Sequence, residues 1–420
     1  MLQPPRIEPM DKPCLIMPQK QVLSNGLPIY VIKGGTQDVL RIDLLMRGGY
    51  GVQQYPLQAL FTNRMLREGT ADYSAEEISR MLDYYGAWIE MYSLQDCNRI
   101  TLYTLGRHLE PMLDMLESMV KRPLFPQKNI ETIRANNKAF YHINSRKVDV
   151  VAQRYFEQSL WGKEHPLGHI VSADDYDVIT YDLLRQYHTA YYGSSTMALF
   201  LSGNVDDKSV AEVEKRFAQD WGCGNVVSKK IAPPVPEAGY KKIALEGVLQ
   251  SGVRVGRMVM DTSHPDFHRF RFLTVILGGY FGSRLMSNIR ERNGYTYHIE
   301  AEIDAYGARN AFMISTEADN EYINPLLSEI DKELAILRNE YISKEELELV
   351  RNYTFGELCR EYEGVLPKAE VFISMWLSGQ PFEAINEYLD IVSTVTAEEL
   401  RSLAREYLLP ETMSQIVVGA

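Results

Sequence analysis

The two halves of this 420-residue chain end in the same pattern of residues. The stretch that begins at Val178 aligns without a gap with the stretch that begins at Thr394. Seven positions are identical at one constant spacing, because Thr180, Leu184, Arg185, Tyr191, Thr196, Met197 and Gly203 match Thr396, Leu400, Arg401, Tyr407, Thr412, Met413 and Gly419. A repeat with so long a period predicts two copies of one domain rather than a solenoid of short units.

The length of the chain agrees with two domains. A single hydrophobic core stops growing at roughly 250–300 residues, and this chain is longer and 45% apolar. Its clearest interruption is GCGNVVSKKIAPPVPEAGY, where glycine and three prolines break any periodic pattern. We therefore predict an N-terminal domain over residues 1–221, a linker over 222–240 and a C-terminal domain over 241–420.

Local patterns predict helices and strands in both halves. Apolar side chains recur at helical spacing from Leu109 to Val120 and from Ile323 to Leu337. Capping boxes, which mark the starts of helices, are expected at Ser74–Glu77, Ser343–Glu346 and Thr396–Glu399. Short β-branched or aromatic runs predict strands at residues 29–32, 99–105 and 415–418. The sequence thus indicates mixed α and β structure in each half.

Charge and cysteine usage exclude several classes of protein. The net charge of −12 argues against a nucleic-acid or anionic-membrane partner, since both need a basic surface. Four scattered cysteines without a C-x-x-C motif indicate reduced thiols rather than a disulfide framework or a zinc module. We find neither the pattern of a signal peptide nor a run of about 18 apolar residues, so we expect a cytoplasmic protein.

A series of longer motifs covers nearly the whole chain. LSNGLPIYVI is followed by RIDLLMRGG, MLREGT and SAEEISRMLDYYGAWIEMYS, and the second half adds HPDF, LGGYFGSRL and IRERNGYTYHIEAEI. In this order they resemble the pitrilysin/insulinase-type metallopeptidases, which include mitochondrial processing peptidase. The resemblance implies two homologous α+β domains that face each other around a peptide-holding chamber, each an antiparallel-rich sheet packed with helices.

The resemblance also defines what this chain lacks. Catalytic members of the family carry H-x-x-E-H just before the Gly-Thr pair that is Gly69-Thr70 here. Two histidines on one helical face bind zinc, and the glutamate takes a proton from the bound water. In this chain the five positions read Leu60, Phe61, Thr62, Asn63 and Arg64. Leucine has no ligand atom, asparagine is no base, and arginine brings a fixed positive charge.

The third zinc ligand of the family, a glutamate on a later helix, is missing as well. Ala139 or Lys138 stands opposite its expected position. The histidine pairs His165/His169 and His264/His268 have no intervening H-x-x-E-H glutamate. We therefore expect no metal, no cofactor and no hydrolysis by this chain alone.

One functional element of the family's substrate site persists, in the C-terminal half. Members use an arginine and a tyrosine seven residues apart, on the domain opposite the zinc, to hold the substrate and stabilise the oxyanion, and Arg290 and Tyr297 have that spacing. The alternative is a solvated arginine and a core tyrosine. The family also binds peptides along a sheet edge, which would be residues 87–93 here, with Glu90 and Met91 replacing the usual Asn-Ala pair.

These expectations together favour a non-catalytic, substrate-binding partner subunit of a heterodimeric zinc peptidase. The zinc would lie in a homologous subunit that carries H-x-x-E-H, and this chain would contribute Arg290 and Tyr297. A structural or assembly homologue without any peptidase role is the alternative from another class. A homodimer that binds peptides without cleaving them is a third possibility.

Overall fold

The computed structural model describes residues 16–219, 222, 224, 236–306 and 309–419. These residues form two compact units. The N-terminal unit consists of Met17–Glu237 together with Gly364–Leu377, and the C-terminal unit contains Ala238–Glu363 and Ser378–Ala420. Most of the predicted linker, residues 223 and 225–235, lies outside the described residues.

The N-terminal unit contains a six-stranded sheet. Its strands in chain order are β1 (Gln19–Val22), β2 (Pro28–Lys33), β3 (Leu40–Arg47), β4 (Trp88–Ser93), β5 (Cys97–Thr104) and β6 (Met197–Gly203). Their order across the sheet is β1-β2-β6-β3-β5-β4. All neighbouring pairs are antiparallel except β2 and β6, which are parallel.

The C-terminal unit contains a five-stranded sheet with the same core topology. Its strands are β7 (Gly239–Ala244), β8 (Gln250–Val259), β9 (Ile299–Tyr306), β10 (Arg309–Asp319) and β11 (Ser414–Gly419). The order is β7-β11-β8-β10-β9, and only β7 and β11 are parallel. The order and polarity of these five strands match those of β2, β6, β3, β5 and β4. The predicted α+β fold with antiparallel-rich sheets is therefore confirmed.

Helices surround each sheet. Those before residue 220 are α1 (Gln58–Met65), α2 (Ala75–Tyr85), α3 (Leu109–Lys121), α4 (Gln127–Asn144), α5 (Val148–Trp161), α6 (Tyr181–Tyr191) and α7 (Asp207–Phe217). Those after the linker are α8 (Phe267–Gly278), α9 (Ile323–Asn339), α10 (Lys344–Tyr362), α11 (Val365–Leu377), α12 (Ala384–Thr394) and α13 (Ala397–Tyr407). Among the described helices, none is both long and apolar enough to cross a bilayer.

The repeated sequence segments form equivalent elements in the two units. Thr180 caps the start of α6 and Thr396 caps the start of α13, each through a side-chain oxygen that accepts a backbone N–H. Each helix is followed by a short 3₁₀ turn and then by a strand that lies parallel to a neighbour, β6 or β11. The repeat therefore encodes the helix and strand that close each copy of the fold.

Helix α11 departs from the predicted continuous C-terminal domain. It follows α10 in the chain, yet Gly364–Leu377 belongs to the compact N-terminal unit. There the Glu370 carboxylate accepts hydrogen bonds from Arg99 at 2.8 Å and also from Arg41. The Arg47 guanidinium lies 4.2 Å from the Trp376 ring centre. The N-terminal unit is thus completed by a helix from the second half of the sequence.

Candidate functional site

Helix α1 carries Leu60 to Arg64, the five residues that the resemblance aligns with the family's zinc motif. Its first half is buried, and Gln58 at its start donates from Nε2 to the Leu183 carbonyl at 2.8 Å. Leu60 packs against the hydrophobic core of the unit. Leucine thus serves as a packing residue at the place of the first ligand, where it offers no donor atom to a metal.

Asn63, which the resemblance aligns with the family's glutamate, is a buried structural amide. It is 1% exposed, and its Nδ2 donates to the Tyr92 carbonyl on β4 at 2.8 Å. The Tyr192 hydroxyl donates to its Oδ1 at 3.1 Å. Both ends of the amide are therefore used to fasten α1 to the edge strand and to the end of α6, and neither can accept a proton from water.

Arg64, which the resemblance aligns with the second histidine of the motif, is directed towards helix α4. Its Nη1 donates to Oδ1 of Asn137, and Asn137 in turn donates from Nδ2 to the Ile133 carbonyl at 2.7 Å. Arg64 is an exposed residue, but partial desolvation beside α4 lowers the pKa of its guanidinium from the ordinary value. Ala139, expected opposite the third ligand, is exposed, and Lys138 pairs with Asp177 at 2.8 Å. The α4 side chain that approaches Arg64 is thus Asn137, which the sequence did not single out.

A cavity of about 410 Å³, which we call the α1–α4 pocket, lies beside Arg64. Arg64, Arg67 and Glu68 line it from α1 and the residues just after that helix. Ile89 and Met91 line it from β4, and α4 contributes Ile133, Asn136, Asn137 and Phe140. Of the residues that the resemblance aligns with the family's zinc ligands, only Arg64 is among those that line the pocket, and the lining contains no histidine or cysteine.

Strand β4, predicted as the peptide-binding edge, ends the described sheet. It pairs with β5 and with no other described strand. Met91 lines the pocket, whereas Glu90 accepts a hydrogen bond from Trp88 Nε1 at 3.2 Å. Because successive side chains of a strand point to opposite faces, Glu90 and Met91 belong to different faces of the sheet. Of this predicted pair, only Met91 lines the pocket.

Arg290 and Tyr297 lie together on the surface of the C-terminal unit. The Arg290 Nε donates to the backbone carbonyl of Tyr297 at 2.9 Å, and its guanidinium lies 4.6 Å from the Phe281 ring centre. The Tyr297 side chain is 89% exposed, so it is not a core residue. Arg290 lies within a π-helical segment, Met286–Arg292, of a kind often found at functional sites. Both side chains are accessible to a second molecule.

Zinc does not fit the α1–α4 pocket. No group of three or more His, Cys, Asp or Glu side chains that could hold a metal occurs within the part of the chain that the structure describes. The residues that the resemblance aligns with the zinc motif instead present an aliphatic side chain, a hydrogen-bonded amide and a cation. A guanidinium repels a metal ion and offers it no lone pair.

Comparison with known families agrees with the topology. The model described as "Insulinase (Peptidase family M16)" matches residues 58–171, and the one described as "Peptidase M16 inactive domain" matches residues 179–353. Together the two matches cover more than half of the chain. The chain belongs to peptidase family M16. The expected relation to the pitrilysin/insulinase-type peptidases is confirmed.

Some relatives in family M16 are named as proteases and others as non-peptidases. The "Uncharacterized zinc protease YmxG" of Bacillus subtilis is 22% identical over 351 residues, 82% of this chain and 84% of the relative. The "Non-peptidase homolog YmxG" of Helicobacter pylori is 21% identical over 387 residues, 87% and 85% of the two chains. Sequence similarity alone therefore does not separate peptidases from non-peptidases in this part of family M16.

Solved structures with low sequence identity show the same fold. A "peptidase M16 inactive domain" from Pseudomonas fluorescens has a TM-score of 0.86 at 22% identity and covers 96% of this chain and 98% of its own. A chain of "Complex III2 from Candida albicans" has a TM-score of 0.76 at 12% identity, with 96% and 95% covered. At such identities the likeness establishes the fold alone.

Proposed function

We propose that this chain is a non-catalytic, peptide-binding subunit of family M16 that works with a homologous subunit carrying the H-x-x-E-H motif. The observation that carries the proposal is the contrast between the two units. Leu60, Asn63 and Arg64 have replaced the catalytic residues, whereas Arg290 and Tyr297 remain side by side and accessible. The names "non-peptidase homolog" and "inactive domain" among the relatives support the proposal that this chain is non-catalytic.

In this proposal Arg290 and Tyr297 act on a substrate whose zinc lies in the partner. A guanidinium and a phenol both donate hydrogen bonds, so they stabilise negative charge on a peptide carbonyl oxygen without acting as base or nucleophile. Strand β4 would hold the peptide by adding it to the sheet edge. Zinc is expected only in the partner subunit. The free thiols of Cys97 and Cys359 support a cytoplasmic location for the pair.

The test is a reconstitution with a cognate H-x-x-E-H subunit. Each chain alone should be inert, and the mixture should cleave a peptide. Tyr297→Phe is the sharpest variant, because Arg290 bonds the Tyr297 backbone carbonyl and that contact survives loss of the hydroxyl. Arg290→Ala should lower the rate by about 10²–10³-fold if it acts as a single oxyanion donor, and Tyr297→Phe should act in the same direction.

Arg292→Ala supplies the matched control, since Arg292 is an exposed arginine of the same π-helical segment. It should leave the rate unchanged. A mixture whose rate is indifferent to Arg290→Ala and Tyr297→Phe would favour a scaffold role, for which the likeness to a complex III chain is the supporting observation. A partner that is fully active without this chain would reject the proposal.

A further inference from the structure

The α1–α4 pocket has the chemistry of an anion site. Two guanidinium cations and one carboxylate line it, so the lining carries one net positive charge in a protein whose overall charge is −12. That excess matches a group with a single negative charge. It does not match a metal cation, for which the pocket has no ligand set.

Arg64 is oriented but not neutralised. Asn137 is the only hydrogen-bond partner of its guanidinium among the described residues, and no described carboxylate forms an ion pair with it. The Asn137 amide is fixed because its Nδ2 is bonded to the Ile133 carbonyl. A guanidinium has five N–H donors in a planar fork that matches a carboxylate, so most of the Arg64 donors stay available to a ligand.

The other two charged side chains of the pocket differ in availability. The Glu68 carboxylate accepts from Asn129 Nδ2 at 2.8 Å, so it is held by α4 rather than by Arg64. The Arg67 side chain is exposed and makes no hydrogen bond or ion pair with any described residue. The pocket thus offers one oriented guanidinium and a second, unpaired one beside it.

The edge strand connects this anion site to peptide binding. Ile89 and Met91 are side chains of β4 and line the pocket. A peptide strand added beside β4 would lie about 4.8 Å from it, within reach of the pocket. Its backbone would bond to the strand, and a negatively charged group of the peptide would meet Arg64.

We propose that the α1–α4 pocket binds a carboxylate of a peptide that lies along β4, with Arg64 as the anchor and Asn137 as its positioning residue. The arginine that replaced a zinc ligand thereby gives the inactive unit a selectivity of its own. This inference rests on the proposed peptide binding by β4. The carboxylate is either the C-terminus of the peptide or an acidic side chain within it, and the two sources are separated below.

The experiment measures, by isothermal titration calorimetry, the binding of an N-terminally acetylated and otherwise uncharged decapeptide of serine and valine to the full chain. The peptide is used as the free acid, as the C-terminal amide, and as an amide with one internal glutamate or glutamine. A charge-assisted, bidentate contact predicts that the carboxylate form binds about 10- to 100-fold more tightly than its neutral counterpart. Preference for the free acid identifies the C-terminus, and preference for glutamate over glutamine identifies a side chain.

Variants decide whether the pocket causes the preference. Arg64→Gln should abolish it, while Arg80→Gln, which changes an exposed arginine on α2 paired with Glu76, should preserve it. Asn137→Asp places a carboxylate on Arg64 from within the chain. It should therefore remove the preference while keeping or raising the melting temperature, which separates the effect from unfolding.

Two outcomes would overturn the inference. The first would reject the carboxylate site alone, and the second would also reject the proposed function. If acid and amide peptides bind equally well, or if Arg64→Gln and Asn137→Asp keep the preference, the pocket is no carboxylate site although peptide binding stands. If no peptide form binds, with or without the H-x-x-E-H subunit, the proposed function falls together with this inference.

Discussion

Glu370 on α11 completes a cluster of charges in the N-terminal unit, and removing its charge tests how that helix is held. Arg41 donates to Asp43 at 2.8 Å, and Arg99 donates at 2.8 Å to both Asp43 and Glu370. The side chain of Asp43 is fully buried and that of Arg41 is 3% exposed, whereas that of Glu370 is 51% exposed. Two cations thus face two anions, and the deeper anion lies on the sheet.

The burial of each anion sets the expected cost. Removing one partner of a buried ion pair costs about 3–5 kcal/mol because it leaves an uncompensated charge. Asp43→Asn should fall in this range. Glu370 is half exposed, so solvent replaces part of its contribution, and we expect Glu370→Gln to cost about 1–3 kcal/mol.

The pH dependence gives a second readout. Burial alone would raise the pKa of Glu370, but hydrogen bonds and charge from Arg99 and Arg41 lower it overall. A carboxyl whose pKa is lower in the folded state stabilises the fold above its unfolded pKa and loses that contribution as the pH falls. Glu370→Gln should therefore reduce the loss of stability on acidification.

Urea unfolding followed by circular dichroism, with hydrogen exchange of the α11 amides, measures both effects. Glu76→Gln is the control, because Glu76 pairs with Arg80 on the surface and such pairs contribute about 0–1 kcal/mol. If Glu370→Gln matched Glu76→Gln in stability and left α11 protection unchanged, the charge cluster would not be what holds α11.

Three further predictions follow from other parts of the chain. Elemental analysis of the purified chain should find far less than one zinc per molecule, and stoichiometric zinc that survives EDTA would contradict our interpretation of Leu60 and Arg64. Gly49→Ala should cost more stability in thermal unfolding than Gly86→Ala. Both glycines have φ near +60°, but a Cβ at Gly49 would lie 2.3 Å from the Leu94 oxygen, whereas a Cβ at Gly86 would meet open space. Equal losses of stability would refute this. His188 is buried, and burial lowers its pKa to about 4, so its contribution to stability is present above pH 6.5 and is lost as the pH falls towards 4. His188→Gln should therefore flatten the pH dependence of stability between these values. An unchanged slope would contradict this prediction.

Local patterns predicted the elements of the fold because each pattern is satisfied within its own element. The stripe from Leu109 to Val120 is the buried face of α3, and the box at Ser74 forms both of its hydrogen bonds. The box at Ser343 forms only its hydroxyl half, because the Glu346 carboxylate accepts from Arg284 at 2.7 Å instead. Arg284, which is distant in sequence, thus replaces the Ser343 backbone N–H as the partner of Glu346. A local sequence pattern contains no information on such a contact.

The candidate site was predicted where a motif fixes residue positions and was missed where only packing does. Positions 60, 63 and 64 follow from the spacing of H-x-x-E-H. Asn137 has no such signal, since an asparagine on a polar helix is ordinary until Arg64 is seen beside it. The seven-residue spacing identified Arg290 and Tyr297, but it did not reveal that their contact runs through the Tyr297 carbonyl and leaves the phenol uncovered.

The route of the chain through α11 limits how this gene could be divided. A cut near residue 237 separates the two copies in sequence, yet it deprives the first copy of Gly364–Leu377. The separated first copy would expose the surface that α11 covers, including Arg41 and Arg99 without Glu370. The two copies are therefore expected to express well only as one polypeptide, or as a fragment pair in which the second piece supplies the helix in trans. The two copies are similar, but α11 makes the first copy depend on residues from the second half of the chain.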